Sequence, residues 1–398
     1  MKQVSKSKSS RSFTTISTCP DAWGGSEELW SRSVSILANS GHLVSVFKTV
    51  VDDAHPSIQS LRSQSCQVRD LERLRLPHRV MNLLLPARYQ LTPSKKHLLF
   101  MYLHFKTRAP DLVIISQGDN YDGLHFGHLC RKLKLPYVII CQKATDHFWP
   151  PDGSRRYMRD VFKSAIKCFF VSRHNRSLTE DQIGAELSNA AIVRNPFLVN
   201  VDSPLSWPEN EAGEFRLACV ARLALLDKGQ DILLRVLARE KWKKRNLHVS
   251  FFGQGINRDG LVALANKLGL NNVSFPGQTD DIRGVWNQHH ALIMPSRCEG
   301  LPLSLVEAML CGRPAIVTDV GGNREVVDDL VTGFLAAAAA ESDIDDAFEK
   351  AWDRRDDWRA MGQLAAKRIR ELVPADPAAE FAGQLLEIES IANRNRSA

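Results

Sequence analysis

An α/β protein with parallel sheets in more than one domain is what this 398-residue chain predicts, on three observations. Its length exceeds what one ordinary core holds, which points to two or three domains. Its second half alternates short apolar runs with helical stretches, the pattern of a parallel sheet with right-handed crossovers. Its glycine-bearing loops fall where a strand hands over to a helix, the edge at which open α/β sheets bind ligands.

The second half is the cleaner repeat. Strands are expected over 216–220, 247–252, 273–275, 291–294 and 314–318. Helices alternate with them at about 229–239, 259–268 and 280–289, then after Pro302, then at 324–330. Helices at about 344–353 and 358–372 follow, Pro374 and Pro377 break the chain, and a last helix covers 378–391. The first half opens with a strand at 13–18 and a loop carrying Gly24 and Gly25. Ser26 is expected to cap a helix to Asn39, with Glu27 and Glu28 in its first turn, before a strand at 42–50. Strands at 112–116, 136–141, 167–171 and 191–193 and helices at 124–133 and 156–165 complete this half. The polar stretch from Arg194 through Pro208 is the best domain boundary. The expected division is a basic, disordered tail over 1–11, an N-terminal domain over 12–200, a C-terminal domain over 201–376, and a final helix and tail over 377–398.

Composition excludes some function classes. With 44% apolar and 24% charged residues the chain is globular, and no apolar run reaches the ~20 residues that span a bilayer. The N-terminus has no apolar stretch behind its basic residues, so no secretory signal is expected, and the protein is placed in the cytoplasm. The eight cysteines are scattered and lie in apolar runs, as small buried hydrophobes of a reducing compartment do. His125 and His128 lack an accompanying cysteine or carboxylate cluster, so no metal is expected. The charge of +7 concentrates in residues 62–108, where ten basic residues face two acids among leucines and aromatics. That mixture suits peripheral contact with an anionic membrane at its inner face, or a phosphorylated acceptor. A solvated helical face over ordinary core residues fits it as well. No nucleic-acid module pattern is present.

The most informative stretch runs from Ser296 to Pro314. An apolar strand ends at Pro295, a polar loop follows, and a short helix stops at Gly312 and Pro314. Glu299 lies in the loop and Glu307 in the helix, so both can face one crevice. The N–H groups of Gly300, Leu301 and Leu303, around Pro302 at a positive helix end, favour a phosphate. Arg222 and Lys228 flank the loop after the half's first strand, where two cations meet what a pyrophosphate leaving group needs as charge builds on it. Gly253 and Gly255 form half of a dinucleotide fingerprint whose third glycine is replaced by Arg258, which disfavours a nicotinamide enzyme. Gly253 and Gly277 then suit backbone approach beneath a nucleotide. Glu307 has two readings. Ser304 and Glu307 have capping-box spacing, but if Pro302 is the first helical residue, the Glu307 carboxylate is available to ligand hydroxyls. Glu299 has no such structural alternative.

These residues resemble the retaining, nucleotide-sugar-dependent glycosyltransferases of the GT-B fold, in the group-1 (family-4-type) set. The resemblance runs through Arg222, Lys228, Gly253–Gln254–Gly255, Gly277, Pro295–Ser296, Glu299–Gly300–Leu301–Pro302, Glu307–Ala308–Met309, Gly312–Arg313–Pro314, Gly321–Gly322, Glu325 and Gly333. In the first half it rests on Gly24–Gly25 and Gly41–His42. It implies two Rossmann-like domains facing across a cleft, with a C-terminal helix crossing back to the N-terminal domain. Arg222 and Lys228 would bind the diphosphate, Glu307 the ribose, and Glu299 the transferred sugar, while Gly24 and Gly25 would face the diphosphate and acceptor. The substrate would be a nucleotide diphosphate-sugar, the acceptor a glycan or lipid-linked molecule, with neither cofactor nor metal. One departure stands out. The family commonly carries a histidine directly after the strand that here ends at Cys141, and this chain has Gln142, with His147 further on as the candidate replacement in catalysis. An epimerase of the same fold, or a nucleotide-sugar-binding protein without turnover, are the alternatives.

Overall fold

A computed structural model of the chain describes residues 10–73, 97–199, 205–209 and 213–397. Most of the expected tail, and the 74–96 part of the basic segment, lie outside those residues. Among the described residues the chain forms two compact units. One holds the chain up to Val171, Asn175–Asn195 and the residues from Asp376 on, and the other holds Ser172–His174 and Pro196–Ala375.

The first unit is built on seven parallel strands: β1 (Ser12–Ser17), β2 (Leu43–Lys48), β3 (Gln67–Asp70), β4 (Leu112–Asp119), β5 (Tyr137–Lys143), β6 (Lys167–Phe170) and β7 (Ala190–Ile192). Their order is β3-β2-β1-β4-β5-β6-β7. Chain direction across the sheet reverses between β1 and β4, so the loops after these two strands flank a topological switch point. Central strands buried on both faces read as unbroken apolar runs, which is why Leu112 to Ile115 and Tyr137 to Cys141 were legible. Helices Pro56–Ser63, Leu98–Thr107 and Arg173–Ile183, and edge strand β3, were not expected. β3 offers one apolar residue, Val68, in four, so it carries no pattern to read. Helix Gly25–Asn39 starts one residue before Ser26; Gly24 occupies the capping position and no side chain caps it, contrary to the role expected of Ser26. Arg11, assigned to the tail, is held by Glu389 at 2.5 Å.

The last helix, Pro377–Ser397, belongs to this first unit. Phe381, Ala382 and Leu385 are buried with Leu29, Trp30, Val34 and Leu37 of helix Gly25–Asn39, and Phe381 meets the Phe169 ring edge-on at 4.9 Å. Full burial of Phe381 and Leu385 contributes about 1.5–3 kcal/mol each. The Ser33 hydroxyl donates to the Ala378 carbonyl at 2.9 Å and fixes the helix's entry.

The second unit has six parallel strands: β8 (Phe215–Val220), β9 (Leu247–Phe252), β10 (Val273–Gly277), β11 (Ala291–Met294), β12 (Ala315–Thr318) and β13 (Gly333–Ala336). Their order, β10-β9-β8-β11-β12-β13, is the doubly wound arrangement, with its switch point between β8 and β11. β13 was missed because it reads as the lead-in to an alanine run. Gly333 lets it approach, since a Cβ there would lie 2.3 Å from the Ala315 carbonyl oxygen. Arg313, expected only as part of a helix stop, is 1% exposed. Its guanidinium donates to the carbonyls of Trp286, His289, Cys311 and Ser206 at 2.7–2.9 Å and lies 5.2 Å from the Trp207 ring. The end of the expected linker is thereby pinned to this unit.

All eight cysteines are buried free thiols, as the sequence indicated. Burial pushes Cys219 up to about 12 and Cys66 and Cys311 up to about 11, which keeps them protonated and unreactive. Three buried histidines titrate abnormally. Burial pushes His104, His289 and His290 each down to about 4, whereas an unfolded histidine titrates near 6.5. Between about pH 6.5 and 4 the unfolded chain binds protons that the folded one refuses. Their contribution to stability is complete above that window and is lost as the pH falls through it. The urea midpoint is expected to fall between pH 7.5 and pH 5.0; an unchanged midpoint would mean that these rings are charged in the fold.

Candidate active site

Two loops flank the switch point of the second unit and carry the strongest sequence candidates. After β8 the chain passes Arg222, then makes a single turn of helix, Leu225–Lys228, that ends at Gly229 in the left-handed region. Glycine is required there, because φ is +61° and a Cβ would lie 2.2 Å from the Pro295 carbonyl oxygen. After β11 the chain runs from Pro295 to Pro302. The Asp227 carbonyl accepts the N–H groups of Arg297 at 2.7 Å and Cys298 at 3.1 Å, so the first loop is fastened to the second. Arg297 reinforces this with two bonds to the Asp231 carboxylate, at 2.9 and 3.0 Å, and one to the Leu225 carbonyl at 2.6 Å.

This fastening brings Lys228 against Glu299. Lys228 Nζ lies 2.7 Å from Glu299 Oε1, and the Ser296 hydroxyl donates to the same oxygen at 2.7 Å. Glu299 is only 4% exposed. A buried carboxylate needs such partners, since unpaired burial would cost several kcal/mol. An ammonium has three N–H donors, so one bond to Glu299 leaves two for an anion. Arg222 stands at the rim, with Nη2 3.6 Å from Asp227 Oδ2 and its side chain half exposed. Its carbonyl is held by Gln230 Nε2 at 2.7 Å. Ser296 was not a sequence candidate for this role; a serine three residues before an acid in a loop is too common a signal.

The glycines divide into two kinds. A Cβ at Gly253 would lie 2.1 Å from the Ala221 carbonyl oxygen, and one at Gly321 would lie 2.2 Å from that of Glu299. These glycines are demanded by neighbouring loops. Gly253 N–H donates to the Gly277 carbonyl at 2.9 Å, which joins the loops after β9 and β10 to the same edge. Gly322 N–H donates to the Gly300 carbonyl at 2.6 Å, so the turn after β12 backs the Glu299 loop. Gly24, in the first unit, is of the other kind. Its backbone is extended, and a Cβ there would meet nothing nearer than 3.9 Å. A small side chain would fit there without a clash.

Helix Leu303–Leu310 begins after Pro302, and no side chain caps it. Ser304 is its second residue and Glu307 its fifth, so the capping-box reading fails. Glu307 is buried, and one of its oxygens accepts the Leu198 N–H at 2.9 Å, which orients the carboxylate. Gly300, Leu301, Pro302 and Leu303 lie on the same sheet edge as Arg222, Lys228, Gly253, Gly277, Glu299 and Glu307.

In the first unit, Gly24 and Gly25 follow β1, beside the switch point. β5 continues past Cys141 to Lys143, so Gln142 is a strand residue and not the first residue of a loop. It is buried; its carbonyl oxygen accepts from Asn175 at 3.4 Å and its Oε1 from Asn195 at 2.8 Å. His147 is exposed in the loop after β5, with its N–H bonded to Thr145 Oγ1 at 3.2 Å. His125 and His128, on helix Leu124–Leu133, pack against aromatic rings. Among the described residues no group of three or more His, Cys, Asp or Glu side chains could hold a metal ion. No helix among them is long and apolar enough to cross a membrane.

Comparison with known proteins bears on the same residues. Residues 206–368 match the family model "Glycosyl transferases group 1". The chain is 30% identical over 158 residues to the putative glycosyltransferase EpsD of Bacillus subtilis, covering 39% of this chain and 42% of that protein. It is 29% identical over 222 residues to a D-inositol 3-phosphate glycosyltransferase of Arthrobacter, covering 54% of this chain and 51% of the relative. The chain thus spans about half the length of these curated relatives. Among solved structures it is similar to Alr3699/HepE of Anabaena in complex with UDP and glucose, at a TM-score of 0.73 and 16% identity over 95% of this chain and 99% of that one. That likeness identifies the fold as GT-B.

Proposed function

We propose that this chain, which belongs through residues 206–368 to the group 1 glycosyl transferases, moves a sugar from a nucleotide diphosphate-sugar to a glycan or lipid-linked acceptor with retention of configuration. The observation that carries the reading is the Lys228–Glu299–Ser296 cluster, with Arg222 at its rim, on the switch-point edge of a doubly wound sheet. Negative charge accumulates on the diphosphate as the glycosidic bond breaks, and fixed cations stabilise that charge without reorganising. Lys228 would be held for this role by Glu299, whose second oxygen would serve a sugar hydroxyl. Glu307, oriented by the Leu198 N–H, would accept from ribose hydroxyls, which are donors. Gly24 and Gly25 would admit the diphosphate or acceptor. The buried, amide-held Gln142 and the exposed His147 support a sugar-facing role for neither residue over the other. Uridine and glucose are the first base and sugar to test, since Alr3699/HepE was solved with UDP and glucose. Contact of the basic 62–108 segment with an anionic membrane is a further part of the proposal, supported by its charge, although Arg62 and Arg73 already share Asp53.

A thermal-shift panel of nucleoside diphosphates and their sugars tests the assignment, because a ligand of the folded state raises the melting temperature. UDP and UDP-glucose are expected to raise it. Glu307→Gln is expected to keep the ligand-free melting temperature, since its amide oxygen still accepts from Leu198, and to weaken nucleotide binding about tenfold, or 1.4 kcal/mol. No response to any nucleotide would overturn the reading.

A further inference from the structure

The first unit contains a fully buried ion pair that the reaction outlined above does not use. Glu27, in the first turn of helix Gly25–Asn39, and Lys48, the last residue of β2, are both 0% exposed. Lys48 Nζ lies 3.2 Å from Glu27 Oε2. It also donates to two carbonyls of the loop after β1, at 2.6 Å to Asp21 and 3.3 Å to Cys19. The ammonium's three donors are therefore committed. On the other side, the Ser17 hydroxyl lies 2.9 and 3.0 Å from the two Glu27 oxygens. The ends of β1 and β2 and the start of the helix thus clamp the short loop that leads into Gly24.

A buried pair of this kind is a poor way to gain stability, because desolvation offsets most of the attraction, and an apolar pair of equal volume would often hold as well. What an apolar pair cannot do is bind loop carbonyls. No side chain caps the helix that follows, and a Cβ at Gly24 would meet nothing closer than Ser26 Oγ at 3.9 Å. The Trp23 side chain anchors the same loop, donating to Glu28 at 2.8 Å and stacking on His55 at 4.6 Å, while Lys48 holds the backbone carbonyls of Cys19 and Asp21.

We propose that Lys48 is a positioning residue for transfer: it sets the path of the Cys19–Gly24 loop so that the Gly24–Gly25 backbone is presented to the bound substrate, and Glu27 keeps Lys48 in place. This rests on the reading of Gly24 and Gly25 as ligand-facing. The pair touches no substrate itself. Its effect falls on the turnover step, and nucleotide affinity, which is carried by the second unit, is left alone.

Two substitutions separate positioning from plain structural support. Lys48→Met removes both loop bonds, but Glu27, whose pKa burial already raises, can take a proton, so no bare charge is left inside. Glu27→Gln strands a buried amine, which in its neutral form still has N–H groups for Asp21 and Cys19. Glu27→Gln is therefore expected to have the lower melting temperature, and Lys48→Met the lower activity. Lys48→Met should lower kcat for UDP-glucose turnover at least tenfold with KM within threefold of wild type, and raise amide exchange at 18–26 at least tenfold. The double variant, Glu27→Gln with Lys48→Met, should fold and behave as Lys48→Met does. Wild-type exchange at 18–26 in Lys48→Met, or activity that follows melting temperature across the set, would overturn the proposal. If the wild type binds and turns over no nucleotide sugar, the functional reading fails, and the exchange measurement still decides whether Lys48 sets the loop.

Discussion

Lys228→Ala and Glu299→Ala are each expected to lower sugar transfer by about 10²–10³-fold or more while the chain stays folded. Both effects follow from one short contact, Lys228 Nζ to Glu299 Oε1 at 2.7 Å. Without Lys228 the departing diphosphate loses its fixed counter-charge. Without Glu299 the ammonium is no longer held at that point and the sugar loses its carboxylate. Groups that act as a unit are not additive, so the double variant should fall little below the weaker single one. Stability should suffer more from Lys228→Ala, because Glu299 would remain buried with only the Ser296 hydroxyl. Single-turnover transfer, with circular dichroism as a check on folding, reads both quantities. Full turnover by either variant would sink the assignment of this edge as the active site.

Arg313→Leu is expected to be the most damaging change outside the site. Burial pushes this arginine down to about 10, so it remains charged near neutrality, and moving a charge out of the interior would by itself be a gain. Against that stand the carbonyls of Trp286, His289, Cys311 and Ser206, each left without its donor. At about 1 kcal/mol or more per stranded acceptor, the loss wins by roughly 3 kcal/mol. For a unit of this size that is a fall of about 6–12 °C in melting temperature. Arg313→Lys should recover little, because a point charge cannot reach carbonyls arranged around a planar fork. A melting temperature unchanged in Arg313→Leu would show that the carbonyls find other donors.

The second unit was the more legible of the two in sequence, and the reason is physical. Its central strand β11 is buried throughout and leaves a continuous apolar run, β9 leaves an apolar run broken only by His248 and Ser250, and both begin and end where expected. Arg222, Lys228 and Glu299 stood out as candidates because charge beside strand ends has no packing purpose, and the fold places Lys228 against Glu299. What escaped notice was held by backbone. Asp227 gathers the Glu299 loop through its carbonyl, and any residue supplies a carbonyl. Gly253 looked like a ligand contact, whereas its missing Cβ makes room for Ala221. Glu27 was expected only as a first-turn acid suited to the helix dipole, and the fold shows it buried against Lys48, 21 residues along the chain.

The last helix has a consequence for how the molecule is made. The first unit's core is closed by Phe381 and Leu385, which leave the ribosome about 180 residues after the preceding part of that unit ends at Asn195. At roughly 5–20 residues per second, the apolar face around Trp30 and Phe169 waits about 10–40 s for its cover. The second unit, continuous apart from Ser172–His174, can form its sheet in that interval. Synthesis therefore completes the second unit before the one that precedes it in sequence, and a nascent chain paused before Phe381 would carry the uncovered face of the first.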